Sequence, residues 1–422
     1  MVKIQTLAFL SLASTALAAP AWWEQWTLDK VKDTVISHVN HLSSKTNGDS
    51  TLRLVQTAED KAPVWMTEDQ RMELLRKNIG YMDITDHQDF EPSLRSLTHL
   101  CTSLPKKAVQ QAKYGRYVNS LSTANMEVAL KEFTSFHNRY YRSKTGKQSA
   151  QWLYKQISDL IEESDADSDV SIRKFQHNWD QFSIIARFEG TDESLANQPA
   201  IVGAHQDSVN GWNPLWGRSP GADDDGSGTV TTLEVFRSLV GTGFRPTRPI
   251  EFHWYSAEEA GLLGSQDVAE SYEKKGVEVI AMIQNDMTGY VGTRFEESFG
   301  VITDNVDPEL TELIKVYAGE YGDIPIRETQ CGYGCSDHAS WSRYGFRSAI
   351  AMEGDFSDIS PWIHGSDDDV SHVDFDHMKQ FAKLSLGFAI ELGHFSGKEQ
   401  DKLNHGGSRW ETTSEREVEP CH

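Results

Sequence analysis

Five short stretches of this chain place histidine or acidic residues at the ends of apolar runs. They read His205-Gln206-Asp207-Ser208, Gly221-Ala222-Asp223-Asp224-Asp225-Gly226, Ser256-Ala257-Glu258-Glu259-Ala260-Gly261, Asn285-Asp286-Met287 and Trp362-Ile363-His364-Gly365. One ligand from each makes two imidazoles and three carboxylates. That is the inventory two borderline-soft divalent cations need when they share a carboxylate. A metal pair of this kind activates water for hydrolysis.

Each stretch suggests a division of work. In extended chain, residues two apart project to the same face, so Asp207 can orient the His205 ring from behind. A helix cap explains one aspartate of Asp223-Asp224-Asp225, but three adjacent carboxylates repel unless a cation compensates them. Asp224, in the middle, is the bridging candidate. Glu258 and Glu259 are neighbours whose side chains diverge, so one can bind metal while the other faces the reacting water as general base. Such a base needs a pKa raised by a dry pocket or a nearby carboxylate. Asp286 supplies the third carboxylate and His364 the second imidazole, on a loop. His253, inside an apolar run, reads as a packed residue, and His338 reads equally well as a structural one. Cys331-Gly332-Tyr333-Gly334-Cys335 lacks the second cysteine pair of a zinc knuckle and reads as a local disulfide that fixes Tyr333 near the site. Cys101 and Cys421 are left, with a bridge, free thiols or another pairing all open.

The elements that must hold these residues form a regular alternation from Leu121 to about His394. Helical spacing covers Thr123–Arg139, Ser149–Glu163, Gly228–Leu239, Leu262–Lys274, Pro308–Tyr321 and Asp374–Leu392. Apolar strand-like runs fall at Pro199–Ala204, Ile250–Tyr255, Val277–Ile283, Gly300–Thr303 and Ser348–Met352. Phe182–Phe188 alternates like a strand with a half-exposed face. Strands separated by helices predict an α/β fold, a three-layer αβα sandwich with a mixed, mostly parallel central sheet. In such sheets ligands bind beyond the carboxyl ends of the strands, where His205, Glu258-Glu259 and Asp286 fall.

The rest of the chain sets the context. Its 422 residues suit one large domain with smaller appendages, and a formal charge of -23 excludes a nucleic-acid partner. Residues 1–18 have the basic start, apolar stretch and Ala16-Leu17-Ala18 end of a secretory signal peptide, so the protein is expected to be secreted. No later apolar run is long enough to span a membrane. No Asn-X-Ser/Thr sequon occurs. Residues 19–100 are polar and partly helical, 101–394 form the main domain, and 395–422 read as a polar tail.

Together these phrases resemble the secreted di-zinc aminopeptidases, particularly the fungal leucine aminopeptidases, from about Asn119 to His394. The resemblance implies two zinc ions per chain. It assigns His205 and Asp286 to one, Glu259 and His364 to the other, Asp224 to both, and Glu258 to general acid/base work. It places Phe356, Ile359 and Ile363 around an apolar pocket for the first side chain, and Tyr333 beside the transition state. The implied substrates are peptides with a free N-terminus, cleaved after Leu or another large apolar residue, by a protein expected to be a monomer. Met66–His87 resembles the inhibitory prosegment of fungal relatives, with removal expected between Asp86 and Ser120. Glutaminyl cyclases and carboxypeptidases on the same fold are the alternatives. The former work with one zinc, and the latter need a cation such as Arg343 or Arg347, which more simply read as surface residues. A non-catalytic binding module would have lost ligands that this chain keeps.

Overall fold

The computed structural model describes residues 52–58, 61–88, 103–166 and 169–396. The leader, Cys101, Cys421 and nearly all of the tail lie outside these residues. Near the N-terminus, β1 (Arg53–Gln56), β2 (Val64–Met66) and β3 (Met82–Asp83) form a small antiparallel sheet in the order β2-β1-β3. Between β2 and β3 lies α1 (Glu68–Arg76), which starts on a capping box made by Thr67 and Gln70.

The main body then runs α2 (Gln111–Val118), α3 (Thr123–Phe133), α4 (Lys144–Glu163), β4 (Val170–Phe175), β5 (Ser183–Phe188) and β6 (Ala200–His205). It continues through α5 (Gly228–Gly241), β7 (Ile250–Tyr255), α6 (Leu263–Lys274), β8 (Ala281–Asn285), β9 (Phe299–Ile302) and α7 (Pro308–Tyr321). The last elements are β10 (Ile326–Thr329), α8 (His338–Arg343), β11 (Ser348–Met352) and α9 (Phe375–Gly393). Among the described residues, eight strands join in one sheet ordered β10-β9-β11-β8-β6-β7-β5-β4. The central run β11-β8-β6-β7 is wholly parallel, and antiparallel pairing enters at β5 with β7 and at β9 with β11.

Both faces of the sheet are covered. Ala200, Val202 and Ala204 of β6 join the large cluster built with α3, α4, α5, α7 and α9, while Ile201 joins a second cluster with α6 and α8. The same alternation splits Ile184 and Ala186 of β5 from Ile185. The half-exposed face expected of Phe182–Phe188 is therefore corrected: β5 has neighbours on both sides and helices on both faces, and only Arg187 is partly exposed. The helix expected over Thr123–Arg139 stops at Phe133. Arg139 is drawn away from it to donate its guanidinium to the carbonyls of Gln206, Pro220 and Gly221. No described helix is long and apolar enough to cross a membrane.

A buried charge network keys the β5–β7 junction. Glu251 accepts from Arg187 at 2.7 Å, from Tyr272 at 2.6 Å and from His253 at 2.9 Å. Burial alone would raise the Glu251 carboxyl, but His253, Arg187 and Tyr272 outweigh it and hold the pKa down to about 2. A depressed folded-state pKa contributes stability that is present above the ordinary carboxylate value and lost as pH falls toward the folded value. Glu251→Gln should therefore cost about 3 kcal/mol at neutral pH. The gap to the parent should shrink between about pH 4.5 and pH 2, as read by urea unfolding across that range.

Candidate metal centre

Parallel pairing of β6 with β7 and β8 puts their carboxyl ends at one edge of the sheet. His205 ends β6, Glu258 and Glu259 follow β7, and Asp286 follows β8. The acid loop before α5 and the loop carrying His364 close over that edge. His205 Nε2 lies 3.2 Å from Asp224 Oδ1 and 3.5 Å from Asp286 Oδ1. His364 Nε2 lies 3.1 Å from Asp224 Oδ2 and 3.2 Å from Glu259 Oε2. Two three-residue clusters result, His205–Asp224–Asp286 and Asp224–Glu259–His364, each with donor atoms within 4.8 Å of one another. Asp224 belongs to both and turns one oxygen to each imidazole.

The donor set fits a pair of borderline-soft cations. Neither ring nitrogen of His205 nor Asp286 Oδ1 has a hydrogen-bond partner, although all three are buried. Burial would lower the pKa of both imidazoles, yet the surrounding carboxylates push them up. Among the groups that raise them, Asp286 and Glu258 lead for His205, and Glu259 and Asp224 for His364. Burial would raise Asp224, but the two imidazoles hold it below the usual carboxylate range. Glu259 is raised to about 7 by burial and by Asp224, against His364. The edge thus concentrates negative charge that favours cations.

Glu258 lines the cavity next to this cluster. Burial, with Asp286, Asp337 and Glu259 adding to it, pushes its carboxyl well above the ordinary range against the pull of His205. Asp207 does more than face His205 Nδ1 at 3.5 Å. Its two oxygens accept the amides of Glu258 at 3.0 Å and Glu259 at 3.3 Å, so one carboxylate orients the ring and the Glu-Glu turn together.

The acidic triple divides its labour. Only Asp224 faces both imidazoles. Asp225 accepts the amides of His205, Gly228 and Met287 at 3.0, 2.8 and 3.2 Å. Asp223 accepts the Gly289 amide at 2.9 Å. Backbone amides thus compensate the two outer carboxylates. Asp368 and Arg139 escaped the sequence reading. Asp368 accepts the amides of Asp223 and Asp224 at 2.9 and 3.1 Å, tying the His364 loop to the acid loop. Arg139 is fully buried beneath; burial draws its pKa down to about 10 while Asp368, Asp225, Asp207 and Asp224 resist. Asp368 lies four residues after His364, but no spacing rule marks a residue that works by accepting amides.

Tyr333, Phe356, Ile359 and Ile363 come together around a cavity of about 300 Å³ that opens beside Asp224 and Glu258. Met287, Ile350 and Met352 complete its apolar wall. The Cys331–Cys335 disulfide is formed. Asp304 accepts the Cys331 and Gly332 amides at 3.0 and 2.7 Å and holds that loop in place. His253 is packed within the Glu251 network, and His338 is buried, its pKa drawn down to about 3 by burial. Neither Arg343 nor Arg347 lines the cavity. Arg347 is buried against Glu309 and Asp307, and Arg343 donates to the His87 carbonyl.

The N-terminal segment occupies the mouth. Leu75, Asn78, Gly80 and Tyr81 line the same cavity. Arg76 donates to the Gly211 carbonyl at 2.9 Å, and its guanidinium sits 4.9 Å over the Trp212 ring. Gly80 packs so closely on Tyr333 that a Cβ there would lie 1.7 Å from the ring.

Comparison with known proteins points the same way. The family model described as Peptidase family M28 matches residues 183–389. "Leucine aminopeptidase 1" of Fusarium vanettenii is 45% identical over 364 residues, covering 83% of this chain and 90% of that protein. "Leucine aminopeptidase 1" of Neurospora crassa is 47% identical over 336 residues, covering 78% of this chain and 82% of that protein. The crystal structure of the Legionella pneumophila LapA aminopeptidase superposes with a TM-score of 0.71 at 28% identity. That match covers 84% of this chain and 96% of that one.

Removing the Asp368 carboxylate leaves two buried amides without a partner. Asp368→Ala should cost about 2–4 kcal/mol of stability. It should also weaken metal retention about 10–100-fold. Thermal unfolding and competition against a chelator measure the two effects separately.

Proposed function

The chain belongs to peptidase family M28, and on that premise we infer a zinc-dependent aminopeptidase that releases first residues from peptides with a free N-terminus. We propose a preference for Leu and other large apolar residues, two zinc ions per chain, and secretion directed by residues 1–18. The observation that carries the two-metal reading is Asp224, whose two oxygens face two separate imidazole–carboxylate groups.

His205 and Asp286 would hold one ion, Glu259 and His364 the other, and Asp224 both. When bound, the pair supplies Lewis acidity toward the carbonyl and an acidified water. The remaining work falls to the chain's own residues. Glu258, in its dry niche, takes the proton of the attacking water on its carboxylate and returns it to the leaving amide nitrogen. Tyr333 donates its hydroxyl hydrogen to the oxygen that becomes negative. Tyr333, Phe356, Ile359, Ile363 and Met287 enclose the first side chain and exclude water from it. An apolar wall with no buried cation suits Leu better than Glu.

We propose further that Arg53–His87 belongs to an inhibitory prosegment, because Leu75 to Tyr81 stand where substrate would enter. Leu104 is 1% exposed, and Glu391 accepts the amides of Val109 and Gln110 at 2.8 Å each. The mature chain would therefore keep Leu104, and cleavage would fall between His87 and Leu104. N-terminal sequencing of the secreted protein checks this; a mature start at Ala19 or Pro20 contradicts it.

Hydrolysis of Leu-, Lys- and Glu-p-nitroanilides, with N-acetyl-Leu-p-nitroanilide as control, tests the activity. Leu should be cleaved fastest, the acetylated substrate not at all, and a chelator should abolish turnover. Glu258→Gln should keep its metal and lose about 10²–10⁴ in kcat, whereas Asp224→Ala should lose metal. One zinc per active chain would favour the cyclase-like reading instead.

A further inference from the structure

Glu353 leaves the carboxyl end of β11 and is 2% exposed. Its carboxylate accepts the Ser360 amide on Oε1 at 2.7 Å and the Tyr290 amide on Oε2 at 3.1 Å. Those amides belong to two loops. One runs from Asp286 through Met287 to Tyr290, and the other carries Phe356, Ile359 and Ile363. Both supply walls of the apolar cavity.

Glu353 is itself held. Its amide donates to the Met287 carbonyl at 2.9 Å, and its carbonyl accepts from His377 Nε2 at 3.0 Å. His377 Nδ1 lies 2.9 Å from Glu297 Oε1, which anchors the ring from the other side. The Glu353 carboxyl also lies against that of Asp223, next to the bridging candidate.

A planar carboxylate has a fixed spacing between its oxygens. With one amide on each, it sets the separation of the two loops as a spacer would. A second, more exposed link joins the same loops where Asp358 accepts the Arg294 and Phe295 amides at 2.7 and 3.3 Å, whereas the Met287, Phe356, Ile359 and Ile363 side chains that wall the cavity make apolar, non-directional contacts.

We propose that Glu353 is a positioning residue that sets the width of the pocket for the first side chain, and so ranks the first residues the enzyme accepts. The proposal rests on reading the apolar cavity as that pocket. A glutamine in its place has one acceptor oxygen, and its NH2 would face a backbone N–H. One loop should therefore come free while the charge centre at Asp224 stays intact.

The test compares kcat and KM for Ala-, Leu- and Phe-p-nitroanilide, with zinc content, in the parent, Glu353→Gln and Glu353→Asp. In Glu353→Gln, KM for Leu should rise about tenfold, kcat should change less, and KM for Ala should move less than about twofold. The Leu-over-Ala ratio in kcat/KM should thus fall about tenfold, with zinc content unchanged. Glu353→Asp keeps the carboxyl group but shortens the reach by one methylene, and should also reorder the substrates.

Equal losses on all three substrates, or loss of zinc with the ratio unchanged, would overturn the proposal. So would failure of both variants to fold, which would mark Glu353 as purely structural. Ile359→Ala separates this from the reading beneath it. If that variant leaves the Leu-over-Ala ratio untouched, the cavity is not the first-residue pocket, and that reading fails first.

Discussion

Crowding of carboxylates at a water-poor sheet edge is the constraint on which the loops around this site depend. Asp207, Asp223, Asp224, Asp225, Glu259, Asp286, Glu353 and Asp368 are all buried there. Two unit charges about 4 Å apart repel by about 4 kcal/mol at an effective dielectric of 20. The chain offsets this repulsion by giving most of these groups a partner of opposite polarity. Asp225 takes three amides, Asp207 and Asp368 two each, and Arg139 lies beneath the acid loop. The carboxylates left facing the two imidazoles are those of Asp224, Glu259 and Asp286. Surplus negative charge and unpartnered donors therefore coincide.

Meeting that demand strains the backbone at three places. Ala257, Met287 and His364 adopt φ values of 60°, 54° and 56°, in the left-handed region that side chains disfavour. Each costs about 1–2 kcal/mol. Each is also pinned by an amide. Leu263 donates to the Ala257 carbonyl at 3.1 Å, Glu353 to that of Met287 at 2.9 Å and Gly211 to that of His364 at 3.0 Å. The strain sits beside Glu258, at the residue after Asp286, and on His364 itself. It aims these side chains inward, where a relaxed turn would not.

The same loops do two jobs. The segments 286–290 and 356–364 carry Asp286 and His364 of the polar cluster at one end and supply walls of the apolar cavity along the rest. The polar cluster and the apolar cavity are thereby mechanically linked, and Glu353 accepts an amide from each loop. The N-terminal segment exploits this arrangement from outside. It reaches the cavity with Leu75 and Tyr81 and meets Tyr333 at a position only glycine can fill.

Much of this was legible in the chain itself. Ile250–Tyr255 and Ser348–Met352 are strands over the lengths their mostly apolar runs indicate, because a strand covered on both faces is largely apolar, and the exceptions in the first, Glu251 and His253, bond to each other. That His205, Asp224, Glu258, Glu259, Asp286 and His364 would come together was legible because loops meet beyond the carboxyl ends of such strands. What tertiary structure decided was everything that acts through a backbone amide or a distant loop. Asp368 and Glu353 look like ordinary surface acids in sequence, and Arg139 like the end of a helix. Their roles exist only once segments 63 to 145 residues apart come within hydrogen-bond distance. Residue type and periodicity report on burial and local conformation, whereas which amide a buried carboxylate accepts depends on how the packed strands bring their ends together.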